Sequence, residues 1–391
     1  MVLGVDRLKK WIFFSILVLL FPILVQAEDQ DTSLIPNAKA GILMEASTGK
    51  ILFEKNKDEQ LPVASMTKMV AQILILEAIE TGKISWDDKV TASANAANMG
   101  GSQIFLAKGE VLTVEEMMKG ISMASANDAT VAMAEYLAGT EIEFVKKMNQ
   151  KVKQLGLKNT NFQNCTGLDE ENHYSSAYDM AIIARELLKH EKILDFSSLY
   201  EDYLRQDTNN KFWLVNTNKL VRFYDGADGL KTGHTDAAKY CLAATAKRND
   251  MRLIAIVLQE DVAKVRNQET MNILDYGFNN YQIQLIKKKS DIIKTITIDK
   301  ATTKTIDLSP SLDVGIVSKK GEEGKKYTYD VTINKIKLPI KKGDVLGKLI
   351  IKNQKDTVKE EDLVAGQNAK ALSFPTLFWN TIKNISAGTK S

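Results

Sequence analysis

Two cysteines in 391 residues leave no room for a disulfide framework or a four-cysteine zinc site. The three histidines, His173, His190 and His234, lie far apart, and no His-Glu-x-x-His pattern occurs. Six prolines and 22 glycines exclude a collagen-like or low-complexity chain. A charge excess is missing too. The 52 basic and 49 acidic residues leave +3, which gives no reason to expect nucleic acid as a partner. Leu230, not a phosphate-loop glycine, precedes Lys231, so no nucleotide is implied, and no metal or other cofactor. What the chain does have is 44% hydrophobic residues, enough for large cores. At ~150 residues per domain its length suggests two domains or three.

Arg7, Lys9 and Lys10 precede an apolar run from Trp11 to Val25, broken only by Ser15 and Pro22. The run ends in Val25-Gln26-Ala27 before Glu28-Asp29. That pattern predicts a secretory signal peptide over residues 1–27, cleaved after Ala27. The run is short for a span of ~20 apolar residues; an uncleaved anchor is the competing reading. The mature protein is expected to be exported. In an oxidising compartment Cys165 and Cys241 can pair if their backbones lie close enough. Two buried free thiols are the equally good alternative.

Residues 40–53 read as two strands around the turn Ser47-Thr48-Gly49-Lys50. A broadly apolar helix follows from about Ser65 to Thr81, stopped by Gly82. Residues 113–138 read as two helices meeting near Ser125, the first opened by a Thr113–Glu116 capping box. Further helices are expected over 141–155 and 176–190, strands over 239–247 and 251–258, and a last helix over 262–279. Strands, then helices, then strands predict an α+β fold: an antiparallel sheet flanked by helices, with an inserted helical region. Beyond about Tyr281 the chain turns to alternating Lys, Ile, Thr and Val with recurring turn clusters. This predicts a small all-β domain over 282–366 after a catalytic domain over 28–281. At the end, Phe374, Leu377, Phe378, Ile382 and Ile385 share one helical face. Residues 369–388 are therefore expected to form an amphipathic helix lying on a membrane surface, the alternative being a helix docked on the β domain. With the signal peptide, this puts the protein at the outer face of the cytoplasmic membrane, held peripherally.

Three short patterns carry chemistry. Ser65-Met66-Thr67-Lys68 opens the apolar helix, where residues i and i+3 share a face, so Lys68 can reach the Ser65 hydroxyl. A serine needs a base to become a nucleophile, and a lysine is a base only when desolvation or a nearby cation keeps it neutral. Taken alone, Ser65 is better read as a helix cap. A second Ser-x-x-Lys, Ser47 to Lys50, falls in the hairpin turn, which would not fix a rigid pair. Ser125-Ala126-Asn127 stands where two apolar helices meet; helix capping is its plain reading. Ser93-Ala94-Asn95 repeats the spacing in a polar loop. Lys231-Thr232-Gly233 occurs once, before a strand, and can be a simple turn.

Together and in this order, the three patterns are the signature of the serine penicillin-recognising enzymes. The chain resembles the low-molecular-mass penicillin-binding proteins that are D-alanyl-D-alanine carboxypeptidases (peptidase family S11, penicillin-binding protein 5 type). The resemblance extends to Pro62-Val63-Ala64 ahead of Ser65, Gly101-Ser102-Gln103-Ile104-Phe105-Leu106, Asp128-Ala129 after Asn127, Ser175-Ser176-Ala177-Tyr178-Asp179-Met180-Ala181, and Asp228-Gly229-Leu230 and His234-Thr235 around the lysine motif. It covers about residues 35–280, and less specifically the β domain and terminal helix.

The resemblance implies that Ser65 attacks the carbonyl of the penultimate D-alanine of a peptidoglycan pentapeptide, while Lys68 takes its proton. It implies that Ser125 relays a proton to the leaving amine, tuned by Lys231, and that Asn127 binds the substrate amide and orients Lys68. Lys231 and Thr232 would face the terminal carboxylate, and the backbone N–H groups of Ser65 and His234 the oxyanion. β-Lactams would acylate Ser65. Thr166 stands where some relatives carry a histidine, so no deacylating role transfers to that position. Cys241 follows the lysine motif on its strand and is read as packing. Arg266 is a weak candidate for a second carboxylate contact, a solvated surface arginine being the better reading. A DD-endopeptidase, a β-lactamase and a slow-deacylating sensor share the motifs. No Glu-x-x-Leu-Asn lies between Asn127 and Lys231, which disfavours the lactamase.

Overall fold

The computed structural model describes residues 32–322, 326–376, 378 and 379. The expected signal peptide lies outside the described residues, as does the expected terminal helix beyond Trp379; its expected start at 369 is not helical, because Ala369 and Ala371 bridge to Ile340 and Ala301, and helix begins at Phe374. Labels are as follows. Apart from the short pair Lys89–Thr91 and Val111–Thr113, the strands are β1 (Ala40–Glu45), β2 (Ile51–Lys55), β3 (Glu201–Leu204), β4 (Phe212–Val215), β5 (Ala227–Thr235), β6 (Lys239–Arg248) and β7 (Met251–Glu260), then β8 (Tyr281–Lys287), β9 (Lys294–Thr297), β10 (Thr305–Pro310), β11 (Val314–Lys319), β12 (Thr328–Ile333), β13 (Val345–Asn353) and β14 (Asp356–Ala365). The longer helices are α1 (Lys68–Glu80), α2 (Val114–Lys119), α3 (Asn127–Ala138), α4 (Glu141–Gln154), α5 (Ala177–Leu187) and α6 (Ala263–Asn280).

The expected antiparallel sheet is present, in the order β2-β1-β7-β6-β5. The first hairpin inserts beside the strands that come some 200 residues later, with Ile42 opposite Ile256. Both faces of the sheet are covered, which is why β1 and β7 read as nearly unbroken apolar runs. Alternate residues serve different cores. Ile42, Met44, Ile254 and Ile256 face the core built on α1, α3 and α5. Leu43, Leu253, Ala255 and Val257 face the other, with Ile273 and Leu274 of α6. The α1 helix is apolar on nearly every side because it runs through the middle of the first core. The capping box appears as read: Glu116 N–H donates to Thr113 Oγ1 and Thr113 N–H to Glu116 Oε2.

Residues 281–372 hold no helix among the described residues and form a five-stranded sheet β9-β10-β14-β13-β12 and the pair β8-β11. Its own core centres on Ile306, Leu308, Leu349, Ile351 and Leu363. The turn holding the first Ser-x-x-Lys is where it meets the catalytic sheet. Lys359 of β14 donates to Ser47 O at 2.9 Å, and Lys50 donates to Val317 O at 3.2 Å. That turn is knitted by the buried Glu45 carboxylate, which accepts from both Ser47 and Thr48. This copy of the motif is structural.

Three expectations change. Lys231-Thr232-Gly233 is not a turn before a strand. It lies inside β5, the sheet's edge strand. Arg266 is not solvated: α6 presents it inward with Thr270, Ile273 and Gly277, where it is 5% exposed. The β3–β4 hairpin falls in a stretch given no element by the sequence reading. Cys165 and Cys241 are both free and buried. Among the described residues no helix is long and apolar enough to cross a membrane.

Candidate active site

Ser65 sits half-buried in a single 3₁₀ turn, Ala64–Thr67, that feeds α1 at Lys68. Ala64 enters the turn at φ 46°, a left-handed conformation unfavourable for a residue with a Cβ. Two glycines pack against this turn. A Cβ on Gly167, itself at φ +83°, would lie 1.9 Å from Ala64 O. A Cβ on Gly233 would lie 2.6 Å from Val63 O. The glycine of Lys-Thr-Gly is therefore needed for the strand to pass close to the nucleophile turn.

Lys68 is fully buried, with Nζ 2.8 Å from Ser65 Oγ and donating to Thr166 O at 2.6 Å. Burial pulls its pKa down to about 7, against smaller upward pulls from Cys165 and Asp128. Lys231, 1% exposed, projects from β5. Burial first, then repulsion from Lys68 and Arg266, pushes it well below the usual lysine range. The first expected pair is thus in direct contact, and the second lysine, Lys231, lies near enough to feel the charge of Lys68. Thr232 donates through Oγ1 to Thr217 Oγ1 at 2.8 Å. The His234 side chain is exposed and stacks on Tyr240, with centroids 4.1 Å apart, so only its backbone can serve the site.

Ser125 follows a π-type turn, Gly120–Ala124, and sits at φ 62°. This wide turn and the left-handed residue after it end one helix at Ser125 and let Asn127 open α3 two residues on. Asn127 Nδ2 donates to Gly100 O at 2.7 Å, and Lys68 Nζ donates to Ser65 and Thr166 rather than to Asn127 Oδ1, so the expected orienting contact is not made. Ser125 Oγ and Asn127 Oδ1 are buried with no hydrogen-bond partner among the described residues. Such atoms are costly unless a bound molecule or water completes them.

The contacts of several supporting residues were not anticipated in the sequence. Asp128 is fully buried and accepts the N–H groups of Ile104 and Leu106, pinning the loop beside Asn127. Asn164 Oδ1 gathers the N–H groups of Thr166 and Gly167, which shapes the loop that accepts from Lys68. Arg266 Nη1 donates to Cys241 O at 3.3 Å, one strand behind the lysine motif. His173 is occupied elsewhere: its ring meets Thr67 Oγ1 and Gln163 N–H, and burial lowers its pKa to about 4.

A lysine poised near neutrality on a serine, beside a second buried lysine, is acyl-transfer machinery. Comparison with known proteins names it. The model of the D-alanyl-D-alanine carboxypeptidase family, peptidase S11, matches residues 26–262. This chain belongs to that family. The C-terminal domain model of penicillin-binding protein 5 matches residues 281–371 of this S11 carboxypeptidase. It is 47% identical to D-alanyl-D-alanine carboxypeptidase DacF of Bacillus subtilis, over 96% of this chain and 98% of that one. It is 33% identical to DacA of Escherichia coli, over 85% of this chain and 83% of that one. The crystal structure of penicillin-binding protein 5 from Haemophilus influenzae superposes with a TM-score of 0.66 at 31% identity, over 85% of this chain and 98% of that one. Penicillin-binding protein D2 of Listeria monocytogenes in its ampicillin-bound form superposes with a TM-score of 0.56 at 30% identity, over 62% of this chain and 97% of that one. The chain is a serine-type D-Ala-D-Ala carboxypeptidase of cell-wall metabolism.

Proposed function

We propose that Ser65 is the nucleophile of this carboxypeptidase and Lys68 its base, acting on peptidoglycan stems that end in D-Ala-D-Ala. The observation that carries this is the 2.8 Å contact between a half-buried serine and a lysine brought down to about 7. Lys68 takes the hydroxyl proton as Oγ bonds to the carbonyl carbon of the penultimate D-alanine. The C–N bond then breaks, and the proton passes through Ser125 to the leaving amine of the last D-alanine. Water hydrolyses the Ser65 ester and restores the enzyme. Edge strand β5 leaves one row of backbone groups free of strand pairing, which suits a peptide laid alongside it. In this scheme the His234 and Ser65 N–H groups hold the oxyanion, and Asn127 Oδ1 takes a substrate amide. Lys231 and Thr232 meet the terminal carboxylate, whose charge returns the Lys231 proton that burial disfavours. β-Lactams enter the same chemistry and leave a stable acyl group on Ser65, as the ampicillin-bound Listeria relative suggests.

The test is release of free D-alanine from diacylated Lys-D-Ala-D-Ala by the purified protein. Steady release without matching penicillin hydrolysis is the expected result. Rapid penicillin hydrolysis without D-alanine release would make it a lactamase instead.

The proposed place of work is the outer face of the cytoplasmic membrane. The basic-apolar start of the chain supports export, and exposed Phe374, Phe378 and Trp379 support a surface anchor. Deleting residues 373–391, which leaves the Ala369 and Ala371 bridges of the β domain in place, should move the mature protein from the pelleted to the soluble fraction with anionic vesicles, at unchanged D-alanine release. Co-sedimentation of the truncated protein at the full-length level would remove the anchor.

A further inference from the structure

We propose that the outer face of the β3–β4 hairpin binds the glycan strand that carries the stem peptide, making the polymer the preferred substrate. The proposal deepens the carboxypeptidase reading and rests on it for the identity of the polymer.

Strands β3 and β4 pair antiparallel, with Tyr203 opposite Trp213 and Glu201 opposite Val215. Their side chains alternate. Leu204 and Leu214 point into the protein and are buried, while Tyr203 is 38% and Trp213 56% exposed. Opposed residues of an antiparallel pair project on one face with Cβ atoms ~5 Å apart, so the two rings are neighbours in solvent. Trp213 Nε1 donates to Glu201 Oε2 at 3.2 Å, which ties the indole to the hairpin. Lys211 Nζ lies 3.9 Å from the centre of the Tyr203 ring. The face therefore offers the Trp213 ring with the Glu201 carboxylate at its edge, and beside it the Tyr203 ring with the Lys211 ammonium over one of its faces.

That combination matches a pyranose. A sugar ring carries polarised C–H groups on its faces and hydroxyl or acetamido groups around its edge. The C–H face suits the negative face of an aromatic ring, and the edge groups suit Glu201 and Lys211.

Its location argues for the same substrate. Thr217 lies four residues beyond Trp213, at most ~13 Å of extended chain. Thr217 N–H donates to Met123 O, in the turn leading to Ser125, and Thr217 Oγ1 accepts from Thr232. The hairpin is thus continuous with two walls of the active site. A stem peptide seated there brings its glycan to the site's rim.

The experiment compares D-alanine release from uncrosslinked, pentapeptide-bearing glycan strands with release from diacylated Lys-D-Ala-D-Ala. Losing one stacking contact of ~1–1.5 kcal/mol should lower the polymer-to-tripeptide ratio of kcat/KM about tenfold in Trp213→Ala. Trp213→Phe, which keeps a ring, should hold the ratio near the native one. Penicillin labelling at the native rate checks that each variant is folded, and Tyr203→Ala reads the same ratio if Trp213→Ala is not. An unchanged ratio in Trp213→Ala overturns the proposal. A second measurement separates it from the carboxypeptidase reading: co-sedimentation of Ser65→Ala with peptide-free glycan strands. Binding lost on adding Trp213→Ala supports the platform even if no D-alanine is ever released. No binding by Ser65→Ala, or binding indifferent to Trp213, sinks it.

Discussion

Ser65→Ala should abolish covalent penicillin labelling and lower D-alanine release by at least ~10⁴-fold, because no other group can form the acyl-enzyme. The fold should survive. Ser65 is only half-buried and its side-chain partner is Lys68, so stability should move by no more than ~1 kcal/mol. Removing the hydroxyl leaves Lys68 its bond to Thr166 O, so the ammonium keeps a partner. The measurement is labelling with a fluorescent penicillin beside a thermal melt. A labelled band in the folded mutant would show that another residue takes the acyl group.

Acylation should depend on pH through Lys68. The base works only when neutral, and burial puts its pKa at about 7. The rate of penicillin acylation should therefore rise with pH and level off above that value. Lys68→Arg should lose ~10²–10⁴-fold and lose the rising limb, since a guanidinium does not give up its proton in this range. The same burial has a sign for stability. A lysine whose folded pKa lies below its unfolded 10.5 binds fewer protons folded than unfolded between about 7 and 10.5. Its contribution to stability thus improves as pH rises through that window and is most unfavourable below it. Stopped-flow acylation between pH 5 and 9 decides the first point. A flat native profile, or a fully active Lys68→Arg, would remove Lys68 as the base.

Much of this site could be read from spacing, because spacing along a helix is geometry. Ser65 and Lys68 lie three apart, and the contact follows whether the turn is 3₁₀ or α. The central sheet was legible for a related reason: the apolar runs of β1 and β7 have few other places to go. Ser125 was legible only as a motif. Its left-handed backbone depends on the π-type turn before it, which no periodicity announces. Lys231 was placed outside any strand because Asp228-Gly229 and Gly233 look like turn residues. The close pass of Gly233 over Val63 explains that glycine, and it is a tertiary fact. Arg266 was misread although the signal existed. Positions 266, 270, 273, 274 and 277 trace the buried stripe of α6, and an arginine on that stripe has to find an acceptor inside. The β3–β4 hairpin went unseen because its strands are only four residues each, too short for alternation to stand out.

The two thiols bear on how this protein ages. Cys165 lies in the loop that accepts from Lys68, and Cys241 in the strand beside the lysine motif, each without exposure. Burial, with Glu141 adding to it at Cys165, raises both pKa values, to about 11 for Cys241. A protonated thiol out of reach of solvent is a poor target for peroxide or disulfide exchange. Oxidative damage at these positions therefore waits on the opening of the loop or of the sheet, so a modified cysteine records a molecule that has already come apart near its active site.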